Sequence, residues 1–181
     1  DYAVTGVQTC ALPISFNIYH AVVVYVKDAR SYRRIRTFCL GLGLLGFALM
    51  AICSLPAIGS FVFGKVIGAP ADISREALRT LSVLTFTAPG VASMEFFSGV
   101  LMLKKRASTV TMAKLINMGT TCAIAITLVK MFPSIGAIAG AVAVSTGPFV
   151  EAAIAYRVIR TAPEFREFRE LEGVARSQAN S

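Results

Sequence analysis

A phosphate-binding loop, a paired-cysteine motif and a histidine cluster are all missing from this 181-residue sequence. Without G-x-x-x-x-G-K-[ST] there is no candidate for nucleotide hydrolysis. A single His and no C-x-x-C spacing leave no basis for a zinc or thiol-redox site. No nucleophile sits beside a recognisable base, so an enzyme is not expected, and neither a cofactor nor a metal is implied. Charge is scarce as well. Charged residues are 15% of the chain and hydrophobic ones 55%, which is too apolar for a soluble domain of this size.

What fills the sequence instead is four apolar stretches, roughly Phe38–Leu55, Thr80–Leu103, Val110–Val129 and Ile135–Tyr156. A helix needs roughly 20 apolar residues to cross the hydrocarbon core. Lipid cannot satisfy an open backbone, so each stretch is expected to be a helix. The net charge of +8 is distributed like a topology signal, not like a nucleic-acid patch. Lys27, Arg30, Arg33, Arg34 and Arg36 precede the first span; Lys104, Lys105 and Arg106 join the second to the third; Arg157, Arg160, Arg166 and Arg169 follow the fourth. The other loops hold Lys65, Arg75, Arg79 and Lys130, so the balance is twelve to four on alternate faces. The basic face is expected to be cytoplasmic, with the C-terminus inside and anionic headgroups beside it. The fold class expected is all-α, a polytopic membrane helix bundle, with the lipid bilayer as partner and no nucleic acid.

The N-terminus reads as foreign to the fold. Val4–Ile14, VTGVQTCALPI, is the codon-by-codon translation of a common sequencing-library adapter, so Asp1–Ile14, with Ser15 at the junction, is set aside together with Cys10. Residues 16–26 then read as the remnant of a severed fifth transmembrane helix carrying His20, for which a proton-relay role is open. Residues 27–37 form a basic connector and 38–160 the four-helix bundle. Residues 161–181 form a charged tail, with Phe165, Phe168 and Leu171 at helical spacing as in an interfacial helix. Ala57–Pro70 is too short to span and is either an extension of span one or an outer interfacial segment. Asp72 and Ser74 are candidate caps for the polar helix start Ala71–Arg79. Cys39, Cys53 and Cys122 are expected to be buried packing residues.

Gly41-x-Gly43-x-x-Gly46 matches the dinucleotide fingerprint, but inside a transmembrane helix it reads as a packing face, as does Gly136-x-x-x-Gly140. The residues that carry chemistry are Glu95 in span two and Glu151 in span four. A charge at mid-bilayer costs at least about 2.5–3.5 kcal/mol on insertion scales, so such groups face protein or water. Each follows a helix breaker, Pro89-Gly90 and Gly147-Pro148, which should free carbonyls near Thr85 and Val144. Span three adds Thr111, Asn117, Thr120, Thr121 and Thr127. Glu95, Glu151 and Asn117 are therefore candidates for a substrate or ion cavity, with Pro89, Gly90, Gly147 and Pro148 as helix-break or gating positions. The competing reading pairs the carboxylates with Lys114, a Thr or an Asn simply to hold the bundle together.

Phe38 to Arg160 resembles the last four helices of a transporter of the MATE-like (multidrug/oligosaccharidyl-lipid/polysaccharide) flippase superfamily, nearest to the progressive ankylosis type. The likeness lies in IGAPADISREALRTLSVLTF with APGVASMEFFSGVLMLKKRAS, in the helix–Lys104-Lys105–helix joint, and in FPSIGAIAGAVAVSTGPFVEAAIAYRVIR. It implies two pseudo-symmetric lobes, of which this chain would be most of the second, its N-terminal lobe lying upstream. It also implies alternating access, with proton or sodium coupling, on an organic anion, drug or lipid-linked substrate. The alternatives are a self-contained four-helix exporter and a non-transporting tetraspan assembly protein. The expected location is the bacterial inner membrane.

Overall fold

The structure, a computed structural model, describes residues 18–26, 29–133 and 136–166. The adapter-like segment, Lys27, and Phe168 and Leu171 of the tail lie outside the described residues. All regular structure described is helical. Residues 18–25 form α1, followed by α2 (Ala29–Ser54), α3 (Pro56–Ser60) and a π-helical turn (Phe61–Val66). Next come α4 (Ala71–Leu84), α5 (Thr87–Leu103), α6 (Ala107–Met131) and α7 (Gly136–Thr161), and a 3-10 turn (Pro163–Phe165) follows. Four helical stretches are long and apolar enough to cross a membrane: Ser31–Ser54, Ala71–Leu103, Ala107–Met131 and Gly136–Thr161. The chain is an all-α polytopic helix bundle of an integral membrane protein.

Proline sets the boundaries. Leu55 is extended (φ −62°, ψ 134°) because Pro56 excludes the helical region for the residue before it, and Pro56 then opens α3 at the first helical position. Ala57–Pro70 is thus not a straight continuation of span one. It is a short helix and a π-helical turn folded against α4, where a side-chain carbon at Gly59 would overlap Leu78. The first residue outside α4 is Pro70, with no side-chain cap; Ser74 instead donates to the Ala69 carbonyl at 3.2 Å. Neither Asp72 nor Ser74 caps this helix, although Asp72 in the first turn suits the helix dipole.

Span two is two helices. The break falls at Thr85–Phe86, four residues before Pro89. Pro89 has no amide to offer the Thr85 carbonyl, and its ring blocks the turn below. Pro148 produces no such break, and α7 runs through it from Gly136 to Thr161. The expected interruption at Gly147-Pro148 is therefore a lost amide inside a continuous helix.

α7 is the centre of the bundle. It packs on α6, α5 and α4, and α5 and α4 in turn pack on α2. The glycines show how closely these helices approach. A carbon added to Gly43 would lie 2.9 Å from the Ala92 side chain, one on Gly46 3.2 Å from Ala88, and one on Gly99 2.7 Å from Val22. The Gly43 and Gly46 contacts bear out packing for that motif, while Gly41, Gly136 and Gly140 face open space. At the basic end an aromatic series joins three helices. Tyr32 of α2 meets Phe96 at 5.4 Å between ring centres, Phe96 meets Phe97 at 5.4 Å, and Phe97 meets Tyr156 of α7 at 5.5 Å. Cys39 is buried in this core, but Cys53 and Cys122 are exposed on the apolar surface, contrary to the packing role expected of all three.

Candidate functional site: an intramembrane polar cluster

Glu151 on α7 is 1% exposed, and both of its oxygens are engaged. Oε2 accepts from Asn117 Nδ2 of α6 at 2.8 Å. Oε1 lies 3.2 Å from Lys114 Nζ of α6, and Ser98 Oγ of α5 donates to the same oxygen across 3.5 Å. Asn117 Nδ2 also approaches the Met94 sulfur at 3.9 Å, and Asn117 Oδ1 accepts from Thr121 Oγ1 at 3.3 Å. Three helices therefore meet at one carboxylate.

Helical spacing explains why these residues converge. Lys114, Asn117 and Thr121 stand at i, i+3 and i+7 on one face of α6, and Met94 and Ser98 stand at i and i+4 on α5. On α7, Gly147 lies one turn before Glu151. A side-chain carbon at Gly147 would overlap Asn117 Oδ1 and Thr121 Oγ1. Only hydrogen fits there, and that close approach lets the short Asn117 amide reach Glu151.

Glu95 lies one turn before Ser98 on α5 and is half-buried. It is within electrostatic reach of Lys114 and of Glu151. Among the described residues it makes no hydrogen bond and no salt bridge. The cluster thus holds two carboxylates and one ammonium, and the ammonium is committed to Glu151.

The helix-break residues flank this cluster. Gly90 packs on the Phe149 ring, 3.0 Å from an added carbon, so Pro89-Gly90 and Gly147-Pro148 are in register across the α5–α7 contact. Ser145 of α7 reaches back to the break in span two. Its hydroxyl donates to the Val83 carbonyl at 3.2 Å and lies 2.9 Å from Thr87 Oγ1. With the Ser145 proton directed at Val83, Thr87 is the donor in the second bond. A side chain from one span thereby adds a second bond to a carbonyl at the break in another, one that also accepts from the Phe86 amide at 3.3 Å.

The sequence reading named Glu95, Glu151, Asn117 and both breaker pairs, and the structure brings them to one level of the bundle. It missed Ser98, Met94, Ser145 and Thr87. Ser98, one turn beyond Glu95, was findable by helical spacing, whereas the reach of Ser145 to another helix has no local signal. His20 stands apart, exposed on α1, its ring 5.6 Å from that of Tyr19. A groove of about 480 Å³ opens beside it between α1 and α2. Its walls include Val24, Tyr25 and Phe38, all exposed and apolar, so it is a crevice in the apolar surface with no convergent polar groups.

A second polar contact closes the basic end. Arg106, between α5 and α6, grips Glu164 beyond α7 with both prongs, Nε to Oε2 at 3.1 Å and Nη2 to Oε1 at 2.9 Å. These bonds hold the Glu164 carboxyl below the usual carboxylate range and the Arg106 guanidinium above its own. Phe165, next to Glu164, is fully buried.

Fold and cluster together define a class: an integral membrane helix bundle with an ionisable cluster inside the apolar zone. No family model, no curated protein and no solved structure matches the chain.

Proposed function

We propose that this chain is the C-terminal-lobe portion of a secondary active transporter, working by alternating access on an organic anion, a drug or a lipid-linked substrate. The observation that carries the reading is Glu95, a half-buried carboxylate at membrane depth that makes no hydrogen bond among the described residues, beside an ammonium already held by Glu151. Two carboxylates against one ammonium leave a single negative charge in the apolar zone. Such a charge needs a proton, a cation or a charged solute to balance it. Proton or sodium coupling through Glu95 follows from that need. The break at Thr85–Phe86 supplies a place where span two can bend, as in the discontinuous helices of transporters. The likeness to the MATE-like flippase superfamily, progressive ankylosis type, points the same way. The proposed location is the bacterial inner membrane, with the C-terminus cytoplasmic on the distribution of Lys and Arg.

A second reading, a tetraspan assembly protein without a transported substrate, is favoured by one observation. Glu151 is sealed from solvent with both oxygens occupied, as a packing latch would be. The two readings divide on Glu95. In the complete protein, Glu95→Gln is expected to lower transport in proteoliposomes while membrane insertion stays at the wild-type level. Transport at an unchanged rate removes Glu95 from the mechanism and leaves the latch.

A further inference from the structure

We infer that Arg106 is the core of a binding site for the phosphate of an anionic lipid headgroup, and that Glu164 is its internal competitor. The site is independent of the transport reading. A guanidinium gripping a carboxylate through two parallel bonds presents the same fork that matches a phosphate. Here that fork is 40% exposed and Glu164 47%, so a competing anion can reach both. Lys104 lies within electrostatic range of Glu164, and Lys105 beside it is exposed.

The backbone holds Arg106 in place. α5 ends with the Lys105 amide bonded to the Met102 carbonyl at 2.9 Å and the Arg106 amide bonded to the Leu101 carbonyl at 3.1 Å. This is the paired arrangement of a Schellman turn, with Lys105 in the left-handed region (φ 55°) where glycine is usual. Arg106 is therefore fixed at both amide and side chain. It also stands at the start of the 25-residue α6, whose first turn has no side-chain cap.

Location supplies the ligand. Spans of alternating direction put Arg33, Arg34, Lys104, Lys105, Arg106 and Arg157 at one end of the bundle, where the acyl chains give way to headgroups. A polybasic rim at that level attracts anionic lipid over zwitterionic lipid. Occupation by a lipid phosphate would free Glu164 from Arg106. The lipid thereby competes with the closed end of α7.

The test uses the full chain reconstituted into nanodiscs of phosphatidylcholine doped with phosphatidylglycerol, with retained lipid counted by mass spectrometry. Arg106→Gln is expected to lower phosphatidylglycerol retention about fivefold. Arg106→Lys, which keeps the charge but not the fork, should lose most of the same effect. Glu164→Gln should raise retention in the wild-type background and leave it unchanged once Arg106 is Gln. A rise from Glu164→Gln that is equal with and without Arg106 would mean bulk charge alone and overturn the site. So would full retention in Arg106→Lys, or displacement of the lipid by inorganic phosphate at equal concentration.

Discussion

The inner and outer spans of this bundle obey different rules. Within the most apolar stretch of span two, 39% of residues are buried, and within that of α7, 44%; for α2 and α6 the values are 11% and 6%. The inner pair is specified by shape, through Ala139, Ala143, Ala152 and Ala155 at close range. The outer α6 has little buried surface, yet it contributes Lys114, Asn117 and Thr121 to the cluster. A helix facing lipid gains nothing from the hydrophobic effect by docking, because the acyl chains are as apolar as its neighbours. Polar bonds and close packing must place it. The contrast teaches that α6 docks on α7 along one extensive face, to which Lys114, Asn117 and Thr121 add directed polar bonds, whereas the inner pair is enclosed on several sides.

That contrast can be broken at Gly147. Gly147→Val is expected to destabilise the bundle by about 1–3 kcal/mol through overpacking, measured by steric-trap unfolding in bicelles. Cysteine cross-links between α6 and α7 should disappear while α5–α7 cross-links survive. Equal loss of both would mean that α6 is not separately held. The joint between inner and outer helices responds in the opposite direction. Lys105→Gly relieves a left-handed lysine and should stabilise by about 1 kcal/mol in the same assay. Asn117→Leu removes one directed bond from Glu151 and should cost about 0.6 kcal/mol, the average for an interhelical hydrogen bond in a membrane. A cost near zero would shift the docking of α6 onto the Lys114–Glu151 pair.

The smallest effect is on the Arg106–Glu164 clasp. Its carboxyl is depressed in the folded protein, so the stabilisation is complete above the ordinary carboxylate range. It is lost as pH falls through the depressed value. Carbon-13 titration of labelled Glu164 should show the low value in wild type and a return to the ordinary one in Arg106→Gln.

Hydropathy was enough to find the spans, because the length of an apolar run follows from bilayer thickness. Proline chemistry located the break at Thr85 from Pro89. The same rule fails at Pro148 because α7 is enclosed by α4, α5 and α6, and packing around a lost amide keeps the helix continuous. Glu95, Asn117 and Glu151 were legible because polar groups in lipid are costly wherever they occur. Lys114 and an Asn, named as partners for the carboxylates, are those that Glu151 takes, while the split between Glu151 and Glu95 depends on how closely α6 approaches Gly147. The exposure of Cys53 and Cys122 was likewise invisible, because sidedness on an outer helix is set by which face its neighbour takes.

The length of span two has a consequence of its own. From Ala71 to Leu103 it comprises 33 residues. At about 1.5 Å per residue it runs about 50 Å, some 20 Å more than the hydrocarbon thickness. Its opening turns, with Asp72, Arg75, Glu76 and Arg79, therefore stand clear of the acyl chains as a parapet at the end of the bundle opposite Arg106. The parapet presents charges of both signs beyond the lipid level, and Ser145 ties its foot to α7.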